Sequence, residues 1–123
     1  MGGFGDTTMV VLKDALLGAS TRHTALANNL ANANTPGYKR VDIDFKATLR
    51  DAVAAATNDP SALTDIAFAP DLDTTAGALR ADGNTVDVDP EMAQLAQNTL
   101  EYSTIAAVLK TRLRSIEAAI GVR

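Results

Sequence analysis

The chain has 123 residues, 46% of them apolar and 21% charged, with a formal net charge of −4 at pH 7. Alanine supplies 23 of the apolar residues, Leu, Ile, Val and Phe together number 29, and Trp is absent, so an elongated helical protein that completes its core with partners is expected rather than a globule with a deep catalytic pocket. The lack of cysteine removes disulfides, thiol nucleophiles and the usual structural zinc sites, the single histidine His23 excludes multi-histidine metal sites, and a pI near 4.7 without a basic stripe argues against nucleic acid.

The first pattern runs from Met9 to Ala33. Met9, Leu12, Leu16, Ala19, His23, Leu26, Leu30 and Ala33 recur in steps of three and four, the seam of a long amphipathic helix. Asp6 is the expected cap, with Thr7 or Thr8 as alternatives. Asn34-Thr35-Pro36-Gly37 should stop the helix, because proline disfavours helical geometry in the residue before it and glycine permits a sharp turn. Residues 1–40 thus form an N-terminal helix and turn. The residues from Met1 to Met9 lack a basic region followed by an apolar stretch, so no cleaved secretion signal is expected.

Residues 41–88 carry most of the negative charge. A short helix is expected between Asp44 and Ala56, with Phe45, Leu49, Ala52, Val53 and Ala56 on one face. From Thr57 to Val88 the helical period is lost, and Leu63, Ile66, Phe68, Leu72 and Leu79 are the sizeable anchors. This stretch reads as an acidic loop, or a loop with a short hairpin around Asp82-Gly83.

The C-terminal segment, 89–123, has the cleaner seam: Met92, Leu95, Thr99, Tyr102, Ala106, Leu109, Leu113, Ile116 and Ile120. Asp89-Pro90-Glu91 reads as a cap, a proline at the first helical position and an acid facing the positive helix end, and Gly121 can close the other end. The fold class is therefore mainly all-α. Two long terminal helices should pair as a coiled coil, one discontinuous domain formed by both ends, with a short helix and an irregular middle. Leu17, Ile105 and Val108 lie off the seams and leave apolar flank for neighbouring subunits. No apolar run approaches the roughly 20 residues that span a bilayer.

Little chemistry is expected. Asp71-Leu72-Asp73-Thr74-Thr75 begins like a calcium loop, but Ala76 stands where glycine is needed and Asp82 where the bidentate glutamate belongs. No Ser/His/Asp set, phosphate loop or catalytic carboxylate pair is present. Neither an enzyme nor a cofactor is expected. The segment that resists a bland reading is Ala27 to Arg40, where four asparagines fall within seven residues although a plain cap needs one. Either the helix frays there or another chain reads that surface.

Asn29-Leu30-Ala31-Asn32 followed by Thr35-Pro36-Gly37-Tyr38, with Arg22 upstream, resembles the signature of the bacterial flagellar rod and hook family. Asp42-Ile43-Asp44-Phe45, then Asp82-Gly83-Asn84-Thr85-Val86-Asp87, Glu91-Met92-Ala93 and the helix carrying Tyr102, extend the likeness, which is greatest to the short proximal rod members. Residues 57–80 add nothing to it, and Pro90 departs from the charged or polar residue often found there.

The resemblance implies a non-enzymatic axial subunit of the basal-body rod, its terminal helices lining a helical tube that carries torque from motor to hook and filament. It implies export by the flagellar type III machinery without signal cleavage, and a place in the rod where it crosses the periplasm. The implied partners are copies of the chain, other rod subunits, and membrane-ring and rod-junction proteins. Arg22, Asn29, Leu30, Asn32, Thr35, Pro36, Gly37 and Tyr38 are then expected to form the turn and a subunit contact. The expected seam is Leu12, Leu16 and Leu26 against Met92, Leu95, Tyr102, Leu109, Leu113, Ile116 and Ile120, within the pair or with its neighbours. A soluble helical adaptor or export chaperone is the rival reading; it leaves the Asn/Thr-Pro-Gly-Tyr turn unexplained.

Overall fold

A computed structural model describes residues 4–73 and 80–121 of the chain. In chain order it contains helix α1 (Phe4–Ala31), strand β1 (Val41–Asp42), helix α2 (Phe45–Ala56), a 3-10 turn (Pro60–Leu63), strand β2 (Asp71–Leu72) and helix α3 (Val88–Ala119). The mainly all-α expectation holds, and two long helices pack together. They run antiparallel: Asn29 meets Glu91, Arg22 meets Gln94, and Asn98 meets Ala19. The strands form one antiparallel pair, Val41 opposite Leu72 and Asp42 opposite Asp71.

The local signals explain most boundaries. Asp44 caps α2, its carboxylate accepting the Ala47 N–H at 3.1 Å. Asp59 does the same for the 3-10 turn through the Ser61 N–H. Gly121, with φ of 74°, closes α3 in the left-handed region. The helix starts are displaced from those expected. Because α1 begins at Phe4, Asp6 lies inside its first turn rather than at its cap. Helix α3 begins at Val88 with Asp87 as N-cap, so Asp89 and Pro90 are both inside the first turn; proline fits there because the first N–H groups of a helix have no intrahelical acceptor.

Among the described residues of 57–88, a 3-10 turn and strand β2 break the expected loop, and a hydrogen-bonded turn stands at Asp82-Gly83, with Arg80 N–H to the Asn84 carbonyl at 3.3 Å and Gly83 N–H to the Arg80 carbonyl at 2.9 Å. The chain makes a tight turn there, with Gly83 at φ of 81°. It is also tied to the turn that follows α1: Gly37 N–H donates to the Asp82 carbonyl at 2.8 Å and Thr85 N–H to the Tyr38 carbonyl at 3.0 Å. Of the expected anchors, Leu63 and Phe68 are buried, Ile66 is half-buried and Leu72 is exposed. Leu79 and the Thr74, Thr75 and Ala76 positions of the calcium reading lie outside the described residues. Asp73 at the start of that stretch binds the Arg40 guanidinium.

The core is small: Ala19, Ala25, Ile43, Phe45, Leu49 and Phe68, with Ala15 and Ile105 packed against it. Gly18 explains how Phe45 enters. A Cβ at Gly18 would stand 2.7 Å from the Phe45 Cβ, so the start of α2 rests directly on the α1 backbone. That close approach offsets the conformational cost of a glycine inside a helix.

The seam of α3 is the main correction. The face turned toward α1 carries Glu91 and Asn98, both buried, and not the apolar stripe one residue further on. One residue is about 100° of helix rotation. As a result Met92, Tyr102, Leu113, Ile116 and Ile120 are exposed in the single chain, Leu95 and Leu109 are half-buried, and His23 and Thr99 are exposed. On α1, Leu26 is fully buried while Leu12, Leu16 and Leu30 are half-buried. The cause is polar: facing α3, α1 presents the Asn29 amide, the Arg22 guanidinium and the Ala19 carbonyl, which draw Glu91, Gln94 and Asn98 inward.

Candidate assembly site

The Asn-rich end of α1 is a cap assembled from several segments. Asn29, fully buried, donates through Nδ2 to the Val41 carbonyl and to Glu91 Oε1, both at 2.7 Å. Its Oδ1 accepts the Tyr38 hydroxyl at 3.0 Å and the Val41 N–H at 3.1 Å. One amide therefore ties α1, the turn, β1 and α3 together. The carbonyls of the turn that follows α1 are satisfied by Asn84, whose Nδ2 reaches Asn32 O, Ala33 O and Thr35 O at 2.8–3.1 Å; Arg80 also donates to Ala33 O. Asn84 Oδ1 accepts the Val86 N–H at 2.7 Å, so this buried amide ties the turn after α1 to the segment that leads into α3. Gly37 sits at φ of 74°, where a side chain is strained.

Behind the cap lies a chain of charges. Arg40 forms a bidentate pair with Glu91, Nε to Oε2 and Nη2 to Oε1 at 2.9 Å each, and also binds Asp73. Arg22 makes a second fork to Asp42, 2.8 and 3.2 Å. Gln94 Oε1 lies within 3.4 Å of both guanidiniums. The hydrogen bond to Glu91 holds Arg40 firmly protonated, and that to Asp42 does the same for Arg22. Burial acts to raise the Asp42 carboxyl, but hydrogen bonds from Arg22 and the Ile43 N–H, with both guanidinium charges, leave it below its ordinary value. Burial, then the Glu91 charge, raise the Tyr38 phenol, which keeps it a donor to Asn29.

These placements revise the expected subunit contact. The Tyr38 hydroxyl donates to Asn29 and the Thr35 hydroxyl to Asn32, joining the turn of residues 35–38 to the end of α1, whereas Arg22 lies about two helical turns earlier and binds Asp42 and Gln94 instead. Asn29, however, is spent inside the chain: with no exposed surface and all its amide bonds internal, it has nothing to offer a neighbour. Thr35, Pro36 and Gly37 are exposed. The sequence reading missed Gly18 and Asn98, and took Glu91 for a helix-end charge when it is the buried counter-ion of Arg40. An acid three residues into a predicted helix and an arginine 51 residues earlier carry no local mark of pairing.

No group of three or more metal-binding side chains occurs among the described residues, and no described helix is long and apolar enough to cross a membrane. The surface features that remain are apolar. Met92, Leu100, Tyr102, Val108, Leu113 and Ile116 are exposed along α3, and Ile120 at its end is 69% exposed. On α1, Val10 and Leu17 are exposed as well. So much bare apolar surface on a chain this small marks a binding face.

Comparison with known proteins bears on what binds there. Residues 13–39, the second half of α1 and the turn through Lys39, match the family described as flagella basal body rod protein. The chain is 37% identical to the flagellar basal body rod protein FlgB of Cereibacter sphaeroides, over 98% of both chains. It is 31% identical to FlgB of Salmonella typhimurium, over 90% of this chain and 91% of that one. Against FlgB of Escherichia coli the identity is 30%, over 90% and 91%. The turn described above therefore lies inside the family's shared segment, and the chain belongs to the flagellar basal body rod protein family, whose members are structural subunits rather than enzymes.

Proposed function

We propose that the chain builds the proximal rod by packing the apolar face of α3 against neighbouring subunits, with the two long helices turned toward the inside of a helical tube that passes torque from motor to hook and filament. The observation that carries this reading is the row of exposed apolar side chains on α3, left uncovered because polar groups occupy the α1–α3 interface. A row of this kind suits a subunit whose core is finished by its neighbours. Identical chains joined through unlike surfaces generate an open helix when the rotation does not close. The exposed Thr35-Pro36-Gly37 turn is a second contact surface, and the two ends of the chain act as one discontinuous domain.

Within the basal body, the partners are other copies, other rod subunits, and ring and junction proteins. The small core fits delivery through the flagellar type III machinery without signal cleavage, because a chain of low stability unfolds at little cost. The test is Ile116→Asp. The substitution should leave the level and helicity of the soluble chain unchanged and abolish rods in isolated basal bodies, with loss of motility. Normal rods containing Ile116→Asp would overturn the reading. Recovery of the unsubstituted chain only in the cytoplasm would favour an adaptor or export chaperone instead.

A further inference from the structure

Helices α2 and α3 leave a groove of about 610 Å³ between them, lined by Ala15, Phe45, Leu49, Leu100 and Ile105 and crossed by the Lys46–Glu101 ion pair. Leu100 on its lip is 68% exposed. Phe45 and Lys46 also line a second cleft, whose walls carry Asp42, Asp44, Asp71 and Asp73 against Arg22 and Lys46, an acid excess although Asp42 and Asp73 are already paired with Arg22 and Arg40. The floor of the groove is apolar and the cleft beside it acidic. Elsewhere on the chain a segment has the opposite character: residues 106–121 hold Lys110, Arg112 and Arg114 against a single acid, Glu117. On that segment Leu113, Ile116 and Ile120 project at steps of three and four and are exposed.

Resting on the reading of the chain as a self-assembling rod subunit, we propose that the C-terminal end of α3 from a second copy seats in this α2–α3 groove, Ile116 and Ile120 against Phe45, Leu49 and Leu100, with its basic side chains toward the acidic cleft. The occupant cannot come from the same chain. Leu100 and Ile116 lie on one continuous helix, which holds them about 24 Å apart along its axis. The contact is heterologous, groove to helix end, so each copy presents one half to the copy before it and the other to the copy after it. Such a contact continues along an open helix when the rotation between copies does not close. It also gives the two faces opposite charge, which orients the incoming subunit.

The chain contains no cysteine, so placed thiols report the contact cleanly. Leu100→Cys and Ile120→Cys change two exposed side chains outside the core. In cells carrying both substitutions in one chain, treatment with a copper oxidant is expected to give a ladder of disulfide-linked multimers of this chain in isolated basal bodies, and each single substitution none. Basal bodies that contain the doubly substituted chain without a ladder would overturn the proposal and leave the rod-subunit reading standing. So would cross-linking by Leu100→Cys alone, or linkage to a different protein. Absence of the unsubstituted chain from basal bodies would overturn both.

Discussion

The two halves of α3 are built on opposite chemistry. From Val88 to about Ile105 the helix is held by directional polar groups: the Glu91–Arg40 fork, Gln94 between two guanidiniums, and the buried Asn98 amide donating to the Ala19 carbonyl at 2.8 Å. Beyond Ala106 the helix carries mostly exposed side chains, among them the apolar Val108, Leu113, Ile116 and Ile120. Polar bonds have fixed geometry and set the rotation and register of α3 on α1. Apolar surface has no such direction and is stabilised by whatever covers it. The first half thus fixes the shape of one subunit, and the second is free to recognise another.

The contrast can be broken most severely at Glu91. Glu91→Ala removes the bidentate partner of Arg40, whose side chain is 8% exposed and keeps only Asp73 and Asp42 as counter-ions, and should cost about 3 kcal/mol, read as a lowered denaturation midpoint of the dilute chain; an unchanged midpoint would mean that the fork does not hold α3. Next in size is Gly18→Ala, where the new methyl meets the Phe45 Cβ. Displacing α2 should cost about 2 kcal/mol by overpacking, and a neutral result would show that α2 can lift away from α1 freely. Gly37→Val is expected to cost about 1 kcal/mol, because nothing crowds the site and the left-handed backbone alone is strained.

A smaller effect concerns acid. The Asp42 carboxyl is held below its ordinary value in the folded chain, so its contribution is present above the unfolded pKa, near 3.8, and is lost as pH falls through the lower folded value. Stability should therefore drop below about pH 4, and Asp42→Asn should lessen that drop in an acid titration followed by circular dichroism. An equal drop in the variant would show that Asp42 carries none of the acid sensitivity.

Much of the frame was readable from local sequence. The seams of Leu and Ile mark both long helices, Asp44 marks the start of α2, and Gly37 marks the left-handed turn. These are signals between residues a few positions apart. What was hidden depends on distant pairs. The apolar period of α3 locates a stripe but does not tell whether the same chain or another covers it, and the stripe is turned away from α1 by Glu91 and Asn98. The role of Asn84 appears only once the carbonyls of Asn32, Ala33 and Thr35 are brought beside it. Gly18 reads in isolation as a weak point in a helix, and only the arrival of Phe45 gives it a purpose.

Amide hydrogen exchange on α3, compared between the dilute chain and assembled rods, tests the division of labour most directly. Slow exchange from about Gln94 to Ile105 in both states is expected. Fast exchange beyond Ala106 in the dilute chain should become slow in the rod. Equal protection along the whole of α3 in the dilute chain would contradict a helix half of which waits for its neighbours.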